Sequence, residues 1–347
     1  MTREFTVEGG QMFAAELTRF AGRRGDAGRD PRLAKISARV SAPIGVSVQG
    51  RRGVGVTTVA EALAANGLAV RAGQPAELAV LVTAEVLKPE DLAVADELRG
   101  HGAEVLVVLN KADLAGSCPA GPVATAHNRA QRLRDRTGLP VVPMVGLLAR
   151  QALSPHLVAA LRELVATPPD LTSTDAFLSG VHPVAPAVRA ELLATLDRFG
   201  IAHACLELSR DRHCDADHLS AALRRLSGVD GVLAALDALA APLRYRRIER
   251  ALVDLQAVGG ESVGRFLAAD ATVLAVMAAA IDVVEADGLT VRPPTTARGC
   301  DGHLRRARYW WRYSRGPVDA LHRSCGAAIA RGSLRLAGSG TEEAVRG

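Results

Sequence analysis

The sequence predicts an α/β fold, a parallel-sheet domain followed by an α-helical region. Over residues 44–145, short β-prone runs alternate with helical stretches, the pattern of strands joined by crossover helices. Beyond about residue 150, strand-like runs nearly vanish and long Ala/Leu segments with helical spacing take over. Of the 347 residues, 48% are hydrophobic but only 3% aromatic. The core must therefore be built from Ala, Leu and Val, and the first two rank high in helix propensity. The length suggests two domains.

Residues 1–20 read as a short helix through Met12, Phe13, Leu17 and Phe20. Residues 21–32, rich in glycine and charge, read as a loop, which completes a leading segment over 1–34. The sheet domain is expected over 35–150. Its first strand, Ile44–Val48, runs into Q-G-R-R-G-V-G-V-T-T (49–58) and a helix over Thr57–Asn66 that Gly67 ends. Leu78–Val82 is a second buried strand. Pro89–Arg99 reads as a helix with Leu92, Ala95 and Leu98 on one face and Gly100 beyond its end. Glu104–Leu109 is the clearest strand and leads directly into Asn110-Lys111-Ala112-Asp113. A polar helix over Asn128–Arg136 and a fourth strand over Pro140–Val145 complete the domain.

The helical region is expected over 151–340, as a bundle or stalk. Its segments are 151–166, 186–199, 217–227, 230–256, 261–286 and 301–335. Breaks fall at Thr167-Pro168-Pro169, Gly228, Gly259-Gly260 and Pro293-Pro294. The apolar run Ala271–Ile281, between Asp270 and Asp282, is too short to span a bilayer and reads as a buried helix. Neither sustained heptads nor a tandem repeat is present.

The net charge is +5 and the sequence pI about 9.2. Arginine supplies nearly all the positive charge, and Lys35, Lys88 and Lys111 are the three lysines. Five scattered cysteines without C-x-x-C spacing, and no secretory leader pattern, point to a reducing cytoplasm.

The glycine stretch has the outline of a phosphate-binding loop, G-x-x-x-x-G-K-[ST], between a strand and a helix. Gly50, Gly53 and Gly55 allow the backbone to wrap a phosphate, and the following helix adds its positive N-terminal end. Thr57 stands where a magnesium ligand belongs and Thr58 where an α-phosphate contact belongs. Val56 takes the place of the lysine and supplies neither charge nor donor. Arg51 and Arg52 are candidates to reach phosphate from the loop's outer side.

Asn110-Lys111-Ala112-Asp113 fits N-K-x-D, the pattern with which GTPases read guanine. The Asp113 carboxylate would accept from the base N1–H and exocyclic amine, the Lys111 stem would cover the ring, and Asn110 would brace neighbouring loops. An adenine would leave that carboxylate unpaired. The 52 residues between the glycine loop and Asn110 (58–109) hold no D-x-x-G and one threonine after Thr58, Thr83. The lysine, the switch threonine and the water-positioning segment are thus all missing, which argues against efficient hydrolysis.

The order of glycine loop, N-K-A-D-L and V-V-P-M-V-G-L-L-A (141–149) resembles a bacterial dynamin-like GTPase domain. The stretches 192–200, 226–237 and 244–255 are similar to the helical region that follows that domain in actinobacterial dynamin-like proteins. The resemblance covers roughly residues 40–260. It implies a base-contacting backbone N–H at Gly146, where Val145-Gly146 replace the family's Ser-Ala pair. Val56, Val145 and the missing switches imply a degenerate member, a pseudo-GTPase that binds GTP or GDP without efficient turnover, with Thr57 as the candidate magnesium ligand and magnesium itself in doubt. It would act through a protein partner, such as an intact dynamin-like GTPase. Three alternatives stand beside this: a weak GTPase completed in trans, a structural or membrane-associated helical protein with a vestigial nucleotide fold, and an ATPase. The last rests on R-R-G-V-G-V-T-T (51–58), which is similar to the deviant loop of partition-type and septum-site ATPases, with Arg51 in place of their extra lysine.

Two further features have structural readings. His203, Cys205, His213, Cys214, Asp215, Asp217 and His218 fit no zinc spacing, and segment 209–218 reads as a polar loop between helices. Segment 298–335 carries nine arginines, two acids and Tyr309-Trp310-Trp311. It reads as a helix whose tryptophans pack on the bundle while the arginines face water; the alternative is an interfacial helix on an anionic membrane, peripheral to the inner face of the plasma membrane. No nucleic-acid module is visible, so nucleic acid is not an expected partner.

Overall fold

The computed structural model describes residues 9–22, 30–71, 76–116, 118–149, 153–211, 214–291 and 300–346, without the side chains of 300 and 339–346. Residues 1–8 of the expected first helix, 23–29 of the expected loop, 151–152, His213, Pro293-Pro294 and Arg298 lie outside the described residues.

In chain order the elements begin with α1 (Gly9–Ala21), α2 (Pro31–Ser41), β1 (Gly45–Gly50), α3 (Val56–Ala65), β2 (Ala69–Val70) and β3 (Leu78–Ala84). They continue with α4 (Pro89–Gly100), β4 (Glu104–Asn110), α5 (Pro122–Thr137), β5 (Val141–Pro143), α6 (Pro155–Ala166) and α7 (Thr174–Ser179). The remainder is helical: α8 (Pro186–Arg210), α9 (Ala216–Ser227), α10 (Val229–Val258), α11 (Glu261–Ala268), α12 (Asp270–Ala286), α13 (Cys300–Tyr313) and α14 (Ala320–Arg346). Two compact units emerge, one of residues 44–236 and one of residues 1–43 with 237–347.

The first unit is α/β. Its five strands are all parallel, in the order β2-β1-β3-β4-β5. β3 and β4 are buried along almost their whole length, so both sheet faces are covered. That double burial is why their sequences are unbroken Val/Leu runs. The fifth strand, β2, pairs its two residues with Gly45 and Val46 and is too short to show in the sequence. Helices α6 to α9, which the sequence reading places in the second region, share one apolar core with the sheet, through Leu161, Phe177, Ile201 and Leu223 among others. Hydrophobic spacing shows that a helix has a buried face, but not what covers it.

The second unit is helical. Phe13 and Phe20 of α1, Tyr245 of α10, Phe266 of α11, Met277 of α12, Trp310 of α13 and Ile329 of α14 belong to its core. Phe20 stacks on Phe266 with ring centroids 4.4 Å apart. α14 packs on both α12 and α13. Buried α12 fits the reading of the apolar run.

The expected 261–286 helix is instead two, because Ala269 is extended (φ −64°, ψ 138°). Segment 301–335 is likewise two helices, parted around Gly316-Pro317. α2 starts inside the expected loop. Asp30 accepts from the Arg32 N–H at 2.8 Å, and Pro31 takes the first helical position. Among the described residues no single helix is long and apolar enough to cross a membrane.

Candidate functional site

β1 ends at Gly50 and α3 begins at Val56, so the glycine loop is the direct connection between them. It leaves the carboxyl end of β1, whose two neighbours are β2 and β3. Here the strand order reverses, the place where open α/β sheets take ligands. Gly53 and Gly55 have φ of +87° and +91°, a region closed to most side chains. Gly55 is the N-cap of α3 and offers no side-chain cap, which leaves the first N–H groups of α3 without a capping acceptor. Such an end attracts anions. Arg52, Gly53 and Thr57 are exposed, and Val56 and Thr58 are partly so.

Asn110, at the end of β4, is 4% exposed. Its Nδ2 donates to the Val54 carbonyl at 2.9 Å, and its Oδ1 accepts from the Gly146 N–H at 3.0 Å. One amide therefore ties the glycine loop to the turn after β5. Lys111 adopts φ +57°, and its Nζ donates to the Gly53 carbonyl at 2.9 Å. Asp113 lies partly buried in the turn that follows. Residues 50–58, 110–113 and 146 are thus brought to one rim.

Two expectations change. The resemblance implied a base contact from the Gly146 N–H, but that group is already bonded to Asn110, so Gly146 belongs to the brace. Arg51 was a phosphate candidate, but its Nε donates to Asp91 Oδ1 at 2.8 Å. The Asp91 hydrogen bond holds the Arg51 guanidinium above its usual range. Asp91 is 2% exposed and also accepts from the Lys88 N–H at 2.9 Å, at the start of α4. The sequence reading did not single out Asp91. Its signal was K-P-E-D, a proline-started first helical turn with acids.

No family model matches the chain, and no curated protein matches it.

Burial raises the Asp113 carboxyl above the usual carboxylate range, and the nearby negative charge of Asp197 adds to the rise. Asp197 is the other residue that sequence reasoning missed. It interrupts α8 with φ +53° and ψ 175°, where the sequence gives no break signal. In the unfolded chain Asp113 ionises at the ordinary value, while the folded protein holds its proton to higher pH. Stability therefore falls as pH rises through that window, and ionised Asp113 is a cost at neutral pH. Asp113→Asn is expected to raise the melting temperature at pH 7 and to leave it nearly unchanged at pH 3. Calorimetric scans at the two pH values check this, and an equal shift at both would remove the electrostatic cause.

Two cavities, of about 440 and 460 Å³, have linings that include no residue of 50–58 or 110–113. Among the described residues, no group of three or more His, Cys, Asp or Glu side chains is placed to hold a metal ion. Burial pushes the Cys205 thiol up to about 11 and the Cys325 thiol up to about 12, so neither is a reactive thiolate at neutral pH.

Proposed function

We propose that the α/β unit is a degenerate GTPase-like domain of the dynamin-like kind, which binds a guanine nucleotide without efficient turnover. The observation that carries this reading is the Asn110 brace. It holds Val54 and Gly146 together while Lys111 bonds to Gly53 and Asp113 stands at the same rim. Side chains that meet the loop in this way put a base reader and a phosphate cradle within one ligand's length.

The residues fit the phosphates. Gly53 has open space where a Cβ would stand, and the N-terminus of α3 is uncapped. Phosphate would lie against the N–H groups of the loop and of Val56, Thr57 and Thr58. Magnesium, if bound, would take the Thr57 hydroxyl, phosphate oxygens and water. Asp113 would accept from the two donors of guanine, and binding would favour its ionised form. Arg51 is engaged by Asp91 and Val56 is apolar, so neither supplies the missing cation, and Arg52, exposed on the loop, is the arginine left to reach phosphate from the outer side. Binding without turnover suits a protein that signals its nucleotide state to a protein partner, the most economical being an intact GTPase of the same kind that pairs across the nucleotide face.

Calorimetric titration with GTP, GDP and ATP, with and without magnesium, tests the reading. The expected result is micromolar guanine binding that Asp113→Ala weakens at least about a hundredfold, since the base's donors are then unpaired. Equal binding of ATP, or no nucleotide binding at all, would overturn it. Hydrolysis by the wild type at the rate of an intact GTPase would remove the claim of binding without turnover.

A further inference from the structure

α13 is buried along one narrow stripe, with Ala307 and Trp310 as its hydrophobic members. His303, Leu304, Arg306 and Tyr313 flank it half-buried, and the opposite side of the helix is exposed. Tyr309 is 61% exposed and Trp311 53%, and Arg305, Arg308, Arg312 and, just past the helix, Arg315 are exposed as well. Arg305, Arg308, Tyr309 and Arg312 follow helical spacing and form one face. The Arg315 guanidinium lies 4.5 Å from the centroid of the Trp311 ring. Arg308 and Arg312 have no hydrogen-bond or ion-pair partner among the described residues. Asp301 is the single acid in the helix.

The structure assigns this face, with Tyr309 and Trp311 at its two edges and the arginines between them, as a docking surface for an acidic segment of a partner protein, a helix or strand that sets Asp and Glu carboxylates between apolar flanks. Trp, Tyr and Arg are the residue types that dominate binding energy at protein interfaces, and here they line one exposed side of the helix. Amphipathic Trp and Tyr present large contact area at low entropic cost, while arginine matches a carboxylate with two parallel hydrogen bonds. Charge complementarity calls for an acidic partner, and a second copy of this basic face is the wrong sign. A lipid surface fits less well. Insertion strength scales with apolar area, and the apolar stripe of α13 is already turned into its own unit. The two exposed rings are surrounded by arginines, and the Trp311 ring is covered by one. The inference is independent of the nucleotide reading, because α13 belongs to the helical unit and the test contains no nucleotide.

The test uses the full chain and fluorescence anisotropy. The probes are a labelled helical peptide rich in glutamate and leucine, its glutamine counterpart, phosphatidylserine–phosphatidylcholine vesicles and a labelled oligouridylate. The acidic peptide is expected to bind, and its glutamine counterpart to bind at least about tenfold more weakly. Trp311→Ala and the double change Arg308→Glu with Arg312→Glu should each weaken the acidic peptide at least about tenfold. Melting temperatures should be unchanged, since all three sites are on the surface. Trp311→Gln serves as a second variant. No binding of the acidic peptide, or binding indifferent to these substitutions, would overturn the proposal. So would tighter binding of the vesicles or of the oligouridylate through the same residues.

Discussion

Asn110→Ala is expected to destabilise the α/β unit by about 3 kcal/mol. The substitution removes two buried hydrogen bonds and leaves both partners, the Val54 carbonyl and the Gly146 N–H, unpaired. Each unpaired buried group costs about 1–3 kcal/mol, more than the net worth of the bond it lost. The amide orientation is set by these partners, since only Nδ2 can donate to a carbonyl and only Oδ1 can accept from an N–H. Asn110→Asp should therefore fare no better. A carboxylate keeps the acceptor for Gly146 but turns a second acceptor towards the Val54 carbonyl. Urea unfolding followed by far-UV circular dichroism and by amide exchange within residues 44–236 measures the loss. Both tryptophans lie in the helical unit, so tryptophan emission reports that unit and should move less. A change below about 1 kcal/mol in the α/β transition would mean that water or a rearranged loop replaces the amide.

Asn110 also marks how much of this site can be read from the chain. The glycine loop, the strand before it and N-K-A-D were all legible, because each depends on residues close in sequence. β3 and β4 announced themselves because burial on both faces makes 78–82 and 105–109 continuous apolar runs. α2 was missed, because its start signal, Asp30-Pro31, sits at the end of a run of glycines and charges that reads as a loop. What the sequence does not carry is the identity of the partner across space. Arg51 faces a phosphate or an aspartate depending on where the first turn of α4 arrives, and Asp91 decides it. Gly146 touches a base or an asparagine depending on the separation of two strand ends, and the 3.0 Å bond to Asn110 decides it. The same holds for α6 to α9. Their apolar spacing is plain, but their sharing of a core with the sheet follows from packing.

Gly55→Val is expected to cost more still, about 4 kcal/mol, and for two separable reasons. The backbone there is left-handed, φ +91°, which costs an L-residue about 1–2 kcal/mol and a β-branched one more. A Cβ on Gly55 would also stand 2.3 Å from Asn110 Nδ2, the atom that holds Val54. Gly53 separates the two effects. It has nearly the same φ, +87°, but nothing within 4 Å of a Cβ, so Gly53→Ala should cost only the backbone part, about 1–2 kcal/mol. The steric part should largely disappear when Asn110 is already alanine. In that background Gly55→Val should cost less than in the wild type by about 1–2 kcal/mol, a coupling that a double-mutant cycle reads directly. Strict additivity would show that the loop yields to the valine by moving away from Asn110. The glycine at 55 would then be kept for its backbone angle alone, and the close approach of the two motifs would not be what demands it.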